Sequence, residues 1–143
     1  MEKKDESNKS MCHWLFKNNP ISQGGSTLLH WSAILGHLDM YQSVMEKAVD
    51  ENPEHKEGTI PLHCAADNGH LGICQLILKN SEEKCPKDEV GWTPLHCSAG
   101  KGHTLIHKMI MTVSSDKNPE DTGGYTPLHS TALQKMVMLN CAD

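Results

Sequence analysis

Apolar residues recur along the chain at the spacing of short amphipathic helices. Ile73, Leu76 and Ile77 show this spacing in one stretch, and Ile106 and Ile110 continue it in another. A polar segment containing Pro and Gly follows each stretch, a composition typical of turns. The pattern predicts several short helices joined by turns.

One motif occurs four times at a constant interval. Tetrapeptides ending in His lie at 27–30, 60–63, 93–96 and 126–129, so successive copies are 33 residues apart. Other positions keep the same interval: Gly25, Gly58, Gly91 and Gly124; Ala33, Ala66, Ala99 and Ala132; Pro20, Pro53, Pro86 and Pro119; and the Gly-His pairs at 36–37, 69–70 and 102–103. Such a period indicates an array of identical structural units.

Each unit contains signals that start and stop a helix. The Thr93 hydroxyl can accept a hydrogen bond from a free N–H group at a helix start, and Pro94 suits the first helical position. Gly102 can end the helix because glycine readily adopts the left-handed conformation. We therefore expect two helices per unit, with the second helices side by side and roughly parallel. These second helices are predicted over 38–48, 71–79 and 104–113.

The motifs resemble the ankyrin repeat, whose family pattern is Gly-x-Thr-Pro-Leu-His-x-Ala-Ala-x-x-Gly-His in a unit of 33 residues. The resemblance covers roughly residues 20–143 and implies an all-α solenoid of stacked helix-turn-helix units with β-hairpin-like loops. The predicted organisation is a disordered N-terminus at 1–6 and an ankyrin-repeat domain at 7–143. Its parts are an N-terminal half-repeat helix at 7–24, repeats at 25–57, 58–90 and 91–123, and an incomplete C-terminal repeat at 124–143.

Some units depart from the family pattern. Leu28 replaces the expected Pro, and Ile60 replaces the capping Thr at an expected cost of about 1 kcal/mol. In the fourth unit, Lys135 and Met136 stand where Gly-His is expected. We therefore expect one continuous helix over 127–139 and faster amide exchange in this unit than in the middle units.

Composition and charge narrow the class of protein. The formal net charge is −5, and no apolar run approaches the roughly 18 residues of a membrane helix. The polar first ten residues lack the apolar segment of a secretory signal, so the six Cys are expected to stay reduced inside the cell. All 13 basic residues are Lys, which disfavours a dedicated nucleic-acid reader. We expect a cytoplasmic protein, with the nucleus as an alternative, and no nucleic acid or membrane insertion.

The ten His and six Cys do not have the spacing of a zinc site. Zinc ligands come in closely spaced pairs, whereas no two Cys are closer than Cys64 and Cys74. His103 and His107 share a predicted helix but lack a third ligand. The resemblance implies a structural role for the motif histidines, so we expect no metal ligand and no cofactor.

Catalysis is not indicated either. A nucleophile, a base and an orienting group must meet in one pocket, whereas each unit of a solenoid contacts only its neighbours. The Gly24-Gly25 and Gly123-Gly124 pairs belong to no phosphate-loop pattern and fall at the expected hairpin turn. We expect a protein that is not an enzyme and has no catalytic residues.

The resemblance implies a protein-binding surface made of hairpin tips and first helices. The partner-binding residues carried over from the family pattern are Ser26, Thr59, Trp92 and Tyr125 at the tips and Ile34, Leu35, Asp67, Asn68, Lys101, Leu133 and Gln134 on the first helices. Aromatic residues are enriched at binding hot spots. We expect a monomeric, non-catalytic interaction module that acts as an adaptor, inhibitor or scaffold.

Three alternatives stay open. The chain is either such a module or the regulatory ankyrin array of a larger enzyme or channel. Ile34 and Leu35 either face a partner or pack under the N-terminal helix with Trp14. Trp92 either contacts a partner or folds back on its own loop and covers Val90.

Overall fold

The computed structural model describes residues 27–48, 53–54 and 57–131, in which helices occur as pairs at the 33-residue interval. The helices are α1 (Leu28–Leu35), α2 (Leu38–Lys47), α3 (Pro61–Asn68), α4 (Leu71–Asn80), α5 (Pro94–Lys101) and α6 (Thr104–Val113). A further helix, α7, begins at residue 127 and is described as far as residue 131. The described ranges contain no β-strand.

A glycine turn joins the two helices of each pair. Gly36, Gly69 and Gly102 end α1, α3 and α5 with φ angles of 77°, 78° and 75°. This left-handed conformation is strained for residues that carry a Cβ and costs glycine little. The chain therefore reverses directly after each first helix.

The helices form two layers. Helix α3 packs between α1 and α5, while α4 contacts both α2 and α6. The second helices thus lie side by side, as predicted, and their boundaries agree with the prediction to within one residue. The core consists of residues that recur at the repeat interval, among them Leu29, Leu62, Leu95, Ala33, Ala66 and Ala99. The prediction of an all-α repeat fold is confirmed.

Several predictions lie outside the described residues. These are the disordered segment 1–6, the half-repeat helix 7–24, the site residues Ser26, Leu133 and Gln134, and the helix predicted over 127–139 beyond residue 131. The repeat boundaries stay predictions as well. Among the described helices, none is both long and apolar enough to cross a membrane.

Candidate protein-interaction surface

In the first three units the motif histidine connects the helix start to the hairpin tip of the next unit. His96 Nδ1 accepts the Thr93 N–H at 3.2 Å, so its Nε2 carries the proton and donates to the Tyr125 carbonyl at 2.8 Å. The ring of His30 makes the same pair of bonds, with Thr27 and Thr59. All these bonds tie the tip residues to the buried helix starts, which gives the tips a defined position.

The second unit keeps this arrangement without the capping threonine. Ile60 has no hydroxyl, yet its backbone N–H donates to His63 Nδ1 at 3.3 Å and its side chain is buried. His63 Nε2 then donates to the Trp92 carbonyl at 3.0 Å. The buried Ile60 side chain thus stands where the third unit has a threonine hydroxyl. There, the Thr93 Oγ1 lies 2.8 Å from His96 Nδ1.

A carboxylate holds the hairpins of the third and fourth units in shape. Asp88 Oδ1 accepts the N–H groups of Val90 at 3.0 Å and Trp92 at 2.8 Å. Asp121 makes the equivalent bonds to Gly123 and Tyr125. The two carboxylates lie one repeat interval apart, and each satisfies N–H groups of its turn.

Backbone hydrogen bonds also join neighbouring hairpins. The Glu89 N–H donates to the Glu57 carbonyl at 3.0 Å, and the Thr122 N–H donates to the Val90 carbonyl at 2.9 Å. Both bonds link positions close to one repeat interval apart. The tip residues therefore stand in a row across three units.

The histidines of the second and third Gly-His pairs each lie on the glycine of the preceding unit. His70 Nε2 donates to the Ile34 carbonyl at 3.0 Å, and His103 Nε2 donates to the Asp67 carbonyl at 3.1 Å. A Cβ at Gly36 would come within 2.3 Å of the His70 ring. The backbone at the ends of α1 and α3 is therefore held by side chains of the next unit.

Two lysines that sequence reasoning missed satisfy carbonyls near the ends of second helices. Lys84 donates to the carbonyls of Leu78 and Ser81, and Lys117 donates to those of Met111 and Ser114. The two lysines are one repeat interval apart in the sequence, and this spacing could have indicated that they have the same role in two units. A cation at a helix C-terminus is favourable because the last carbonyls lack partners within the helix.

The cysteines on the helices are buried or, for Cys64, half-buried, and they are poorly ionised. Burial raises the pKa of the Cys64 thiol to about 11 and that of Cys74 to about 12. Burial also raises the pKa of Cys97. We therefore expect these thiols to be inert, because only a thiolate reacts or binds metal readily and a raised pKa leaves little thiolate. No group of three His, Cys, Asp or Glu in the described part of the chain could hold a metal ion.

The two aromatic tip residues differ in exposure. Tyr125 is 52% exposed, and its ring lies edge-on to His129 with centroids 5.7 Å apart. Trp92 is half-buried rather than exposed: it stacks on His96 at 4.7 Å and packs against the core. It does not cover Val90, which is 56% exposed. Thr59, the tip residue of the second unit, is half-buried.

One repeat position on the first helices is exposed in each of the first three units. Leu35 is 50% exposed, and Asn68 and Lys101, one and two repeat intervals later, are exposed as well. The preceding residues, Ile34 and Asp67, are half-buried. We call the side chains of Leu35, Asn68, Lys101, Thr59, Trp92 and Tyr125 the recognition surface.

Trp31 is an exposed aromatic residue that the sequence analysis did not single out. It is 37% exposed on α1, whereas Cys64 and Cys97 occupy the same position in the next two units and are half-buried and buried. The sequence could have indicated this residue, because the 33-residue interval aligns its large aromatic side chain with two small thiols.

A family model described as ankyrin repeats, in three copies, matches residues 4–88, which is more than half of the chain. The chain belongs to the ankyrin-repeat family. Ankyrin repeats are generally protein–protein interaction modules, and domains built from them are typically non-catalytic. No curated protein matches the chain significantly.

Proposed function

We propose that this chain is a non-catalytic adaptor, inhibitor or scaffold that binds a partner protein with its recognition surface. One observation carries the proposal: Leu35, Asn68 and Lys101 recur at the repeat interval on consecutive first helices and are all exposed. Because these side chains project from folded helices, little backbone freedom is lost when a partner binds them.

The chemistry of the surface suits a folded partner or an extended segment with mixed polarity. Tyr125 offers an exposed aromatic ring, Leu35 offers apolar area, and Lys101 offers a cation. Tyrosine is enriched among hot-spot residues, whose truncation costs about 2 kcal/mol or more of binding free energy. We place the strongest contact at Tyr125 and a secondary, apolar contact at Leu35.

Affinity capture with exposed-residue variants tests the proposal. Proteins captured by the native chain are identified, and the binding of one purified partner is measured for Tyr125→Ala, Leu35→Ser and Leu105→Ser. Leu105 is 69% exposed on α6, a second helix, so its variant controls for the loss of exposed apolar area outside the surface. We expect weaker binding for the first two variants only. Equal affinity in all three would refute the proposed surface.

Trp92 needs a separate measurement because it also supports the fold. Its stacking on His96 predicts that Trp92→Ala lowers the unfolding temperature, so affinity is measured on the folded fraction. Catalysis by a captured partner, assayed with and without the chain, then distinguishes an inhibitor from an adaptor or scaffold. We expect the module to act as a monomer in the cytoplasm, which sedimentation and cell fractionation would check.

A further inference from the structure

The exposed face of the first helices changes chemistry from one unit to the next. On α1, Trp31 is 37% exposed and Leu35, about one helical turn later, is 50% exposed, while Ile34 is half-buried. The position of Ile34 is occupied by Asp67 on α3 and by Gly100 on α5. The face therefore runs from an apolar patch through a carboxylate to a position without a side chain.

The protein holds Asp67 in a defined place on this face. Its carbonyl accepts the His103 Nε2–H at 3.1 Å, and its side chain is half-buried. Burial is the main reason why the pKa values of the Cys64 and Cys97 thiols are raised, and the charge on Asp67 adds to this at both. Because Cys64 is on α3 and Cys97 is on α5, the carboxylate faces the space between these two helices.

This location of the Asp67 carboxylate is unfavourable in the unbound protein. It lies in the last turn of α3, where the unpaired carbonyls of the helix end carry partial negative charge. In the part of the chain that the structure describes, no residue donates a hydrogen bond to this carboxylate or forms an ion pair with it. A cation brought by a partner would therefore meet no competing contact and would relieve the repulsion.

The charge around the face is predominantly negative. The hairpin segments 57–59, 88–92 and 121–125, together with α1, α3 and α5, contain five carboxylates and one lysine, Lys101. Two of the carboxylates, those of Glu57 and Glu89, are on exposed residues of neighbouring hairpins. Such a surface attracts a cationic partner and repels an acidic one.

Resting on the function proposed above, we propose that this face binds a basic segment of a separate protein. A Lys or Arg side chain of the segment pairs with Asp67, and an apolar side chain of the segment packs on Trp31 and Leu35. Packed helices lie about 8–10 Å apart, so the two partner side chains reach positions separated by roughly that distance. Gly100 leaves room beside Asp67 for the long basic side chain. The apolar patch then sets the direction in which the segment binds.

Peptide selection tests the proposal. A displayed library of random 12-residue peptides is panned against the purified full chain, and we expect the selected peptides to combine Lys or Arg with an apolar residue. The dissociation constant of one selected peptide should rise at least about tenfold for Asp67→Asn. Leu35→Asn, which introduces the residue of the second unit, should also weaken binding. Asp39 is exposed in the first turn of α2, a second helix, so Asp39→Asn is the matched control and should leave the affinity unchanged.

Unfolding midpoints separate a role in binding from a role in the fold. Asp67→Asn should leave the midpoint unchanged or raise it, because it removes an anion from a helix C-terminus. Asp39→Asn should lower the midpoint slightly, because it removes an anion from a helix N-terminus. Weaker peptide binding together with a lower midpoint for Asp67→Asn would assign the carboxylate to the fold and overturn the proposal.

Charge reversal completes the test. Asp67→Lys should prefer a version of the selected peptide in which Glu replaces the basic residue. Selection of acidic peptides, selection of no peptide, or an affinity that Asp67→Asn leaves unchanged would overturn the basic partner. Dimers of the native chain that Asp67→Asn abolishes would assign the face to a second copy and overturn it as well. The proposed function fails on a different result, which is equal affinity of a captured partner for Tyr125→Ala, Leu35→Ser and Leu105→Ser.

Discussion

The ring of His63 bridges two repeats: Nδ1 accepts the N–H of Ile60 at 3.3 Å, and Nε2 donates to the carbonyl of Trp92 at 3.0 Å. The ring is buried, and so is the Ile60 side chain beside it. One side chain therefore completes a helix start in its own unit and fixes the hairpin tip of the next.

Replacing this ring should be costly. We expect His63→Leu to lower the free energy of unfolding by about 2–3 kcal/mol, because a buried N–H and a partly buried carbonyl lose their partners. Urea denaturation measures the change. His37 is a control from a helix start where the ring makes no capping bond, and His37→Leu should cost less than about 0.5 kcal/mol. Equal costs would contradict the bridging role.

Two glycines with the same backbone angle separate conformational strain from crowding. Gly102→Ala should cost about 1 kcal/mol, because φ is 75° and no atom lies within 4 Å of the new Cβ. Gly36→Ala should cost at least about 1 kcal/mol more, since its Cβ would displace the His70 ring and break the bond to Ile34. Thermal unfolding of both variants checks this order. The reverse order would show that the ring moves aside freely.

The Thr93 hydroxyl contributes to stability from inside the protein. It is fully buried and lies 2.8 Å from His96 Nδ1, so Thr93→Val should cost about 1 kcal/mol. Thr112 is exposed and bonds only the carbonyl of Lys108 within its own helix. Thr112→Val should therefore change the free energy of unfolding by less than about 0.5 kcal/mol. Similar values for the two variants would argue against the buried bond.

The free energy of unfolding should decrease at acidic pH because of His63. Burial lowers the pKa of its ring below 6.5, so below pH 6.5 the unfolded chain takes up a proton before the folded one does. The free energy of unfolding should thus be constant well above pH 6.5 and decrease as the pH falls towards the folded-state pKa. Urea titrations at about pH 7.5 and about pH 5.5 measure the drop. His63→Gln should show a smaller drop; an identical one would assign the effect to other groups.

The thiols of the half-buried Cys64 and the buried Cys74 should resist alkylation in the folded protein. The pKa of Cys64 rises from 9.0 to about 11, which lowers its thiolate fraction about 100-fold at neutral pH. Iodoacetamide should therefore modify Cys64 and Cys74 slowly until urea unfolds the chain, as followed by mass spectrometry. Cys85, half-buried in the loop after α4, is the internal comparison for the buried Cys74 and should react sooner than Cys74. Rapid labelling of Cys74 without denaturant would contradict this.

The helix boundaries could be predicted from the sequence because the residues that start and stop a helix act locally. Thr93 before Pro94 marks a helix start and Gly102 marks its end through contacts within a few residues. The lysine caps were harder to foresee, because Lys84 and Lys117 lie in polar loops and their bonds depend on where the preceding helix ends. A charged residue in such a loop has no local pattern that distinguishes it from a solvated one.

The sequence by itself determined the repeat, the helix pairs and the row of tip positions, since all of these follow from a constant interval of 33 residues. Only the tertiary structure decided how equivalent positions differ. Trp92 and Tyr125 share the tip position, yet the first stacks into the core and the second is 52% exposed. Leu95 is buried, whereas Leu128 is 75% exposed. The physical reason is that burial in a stack depends on the adjacent unit, which the local pattern of a repeat does not encode.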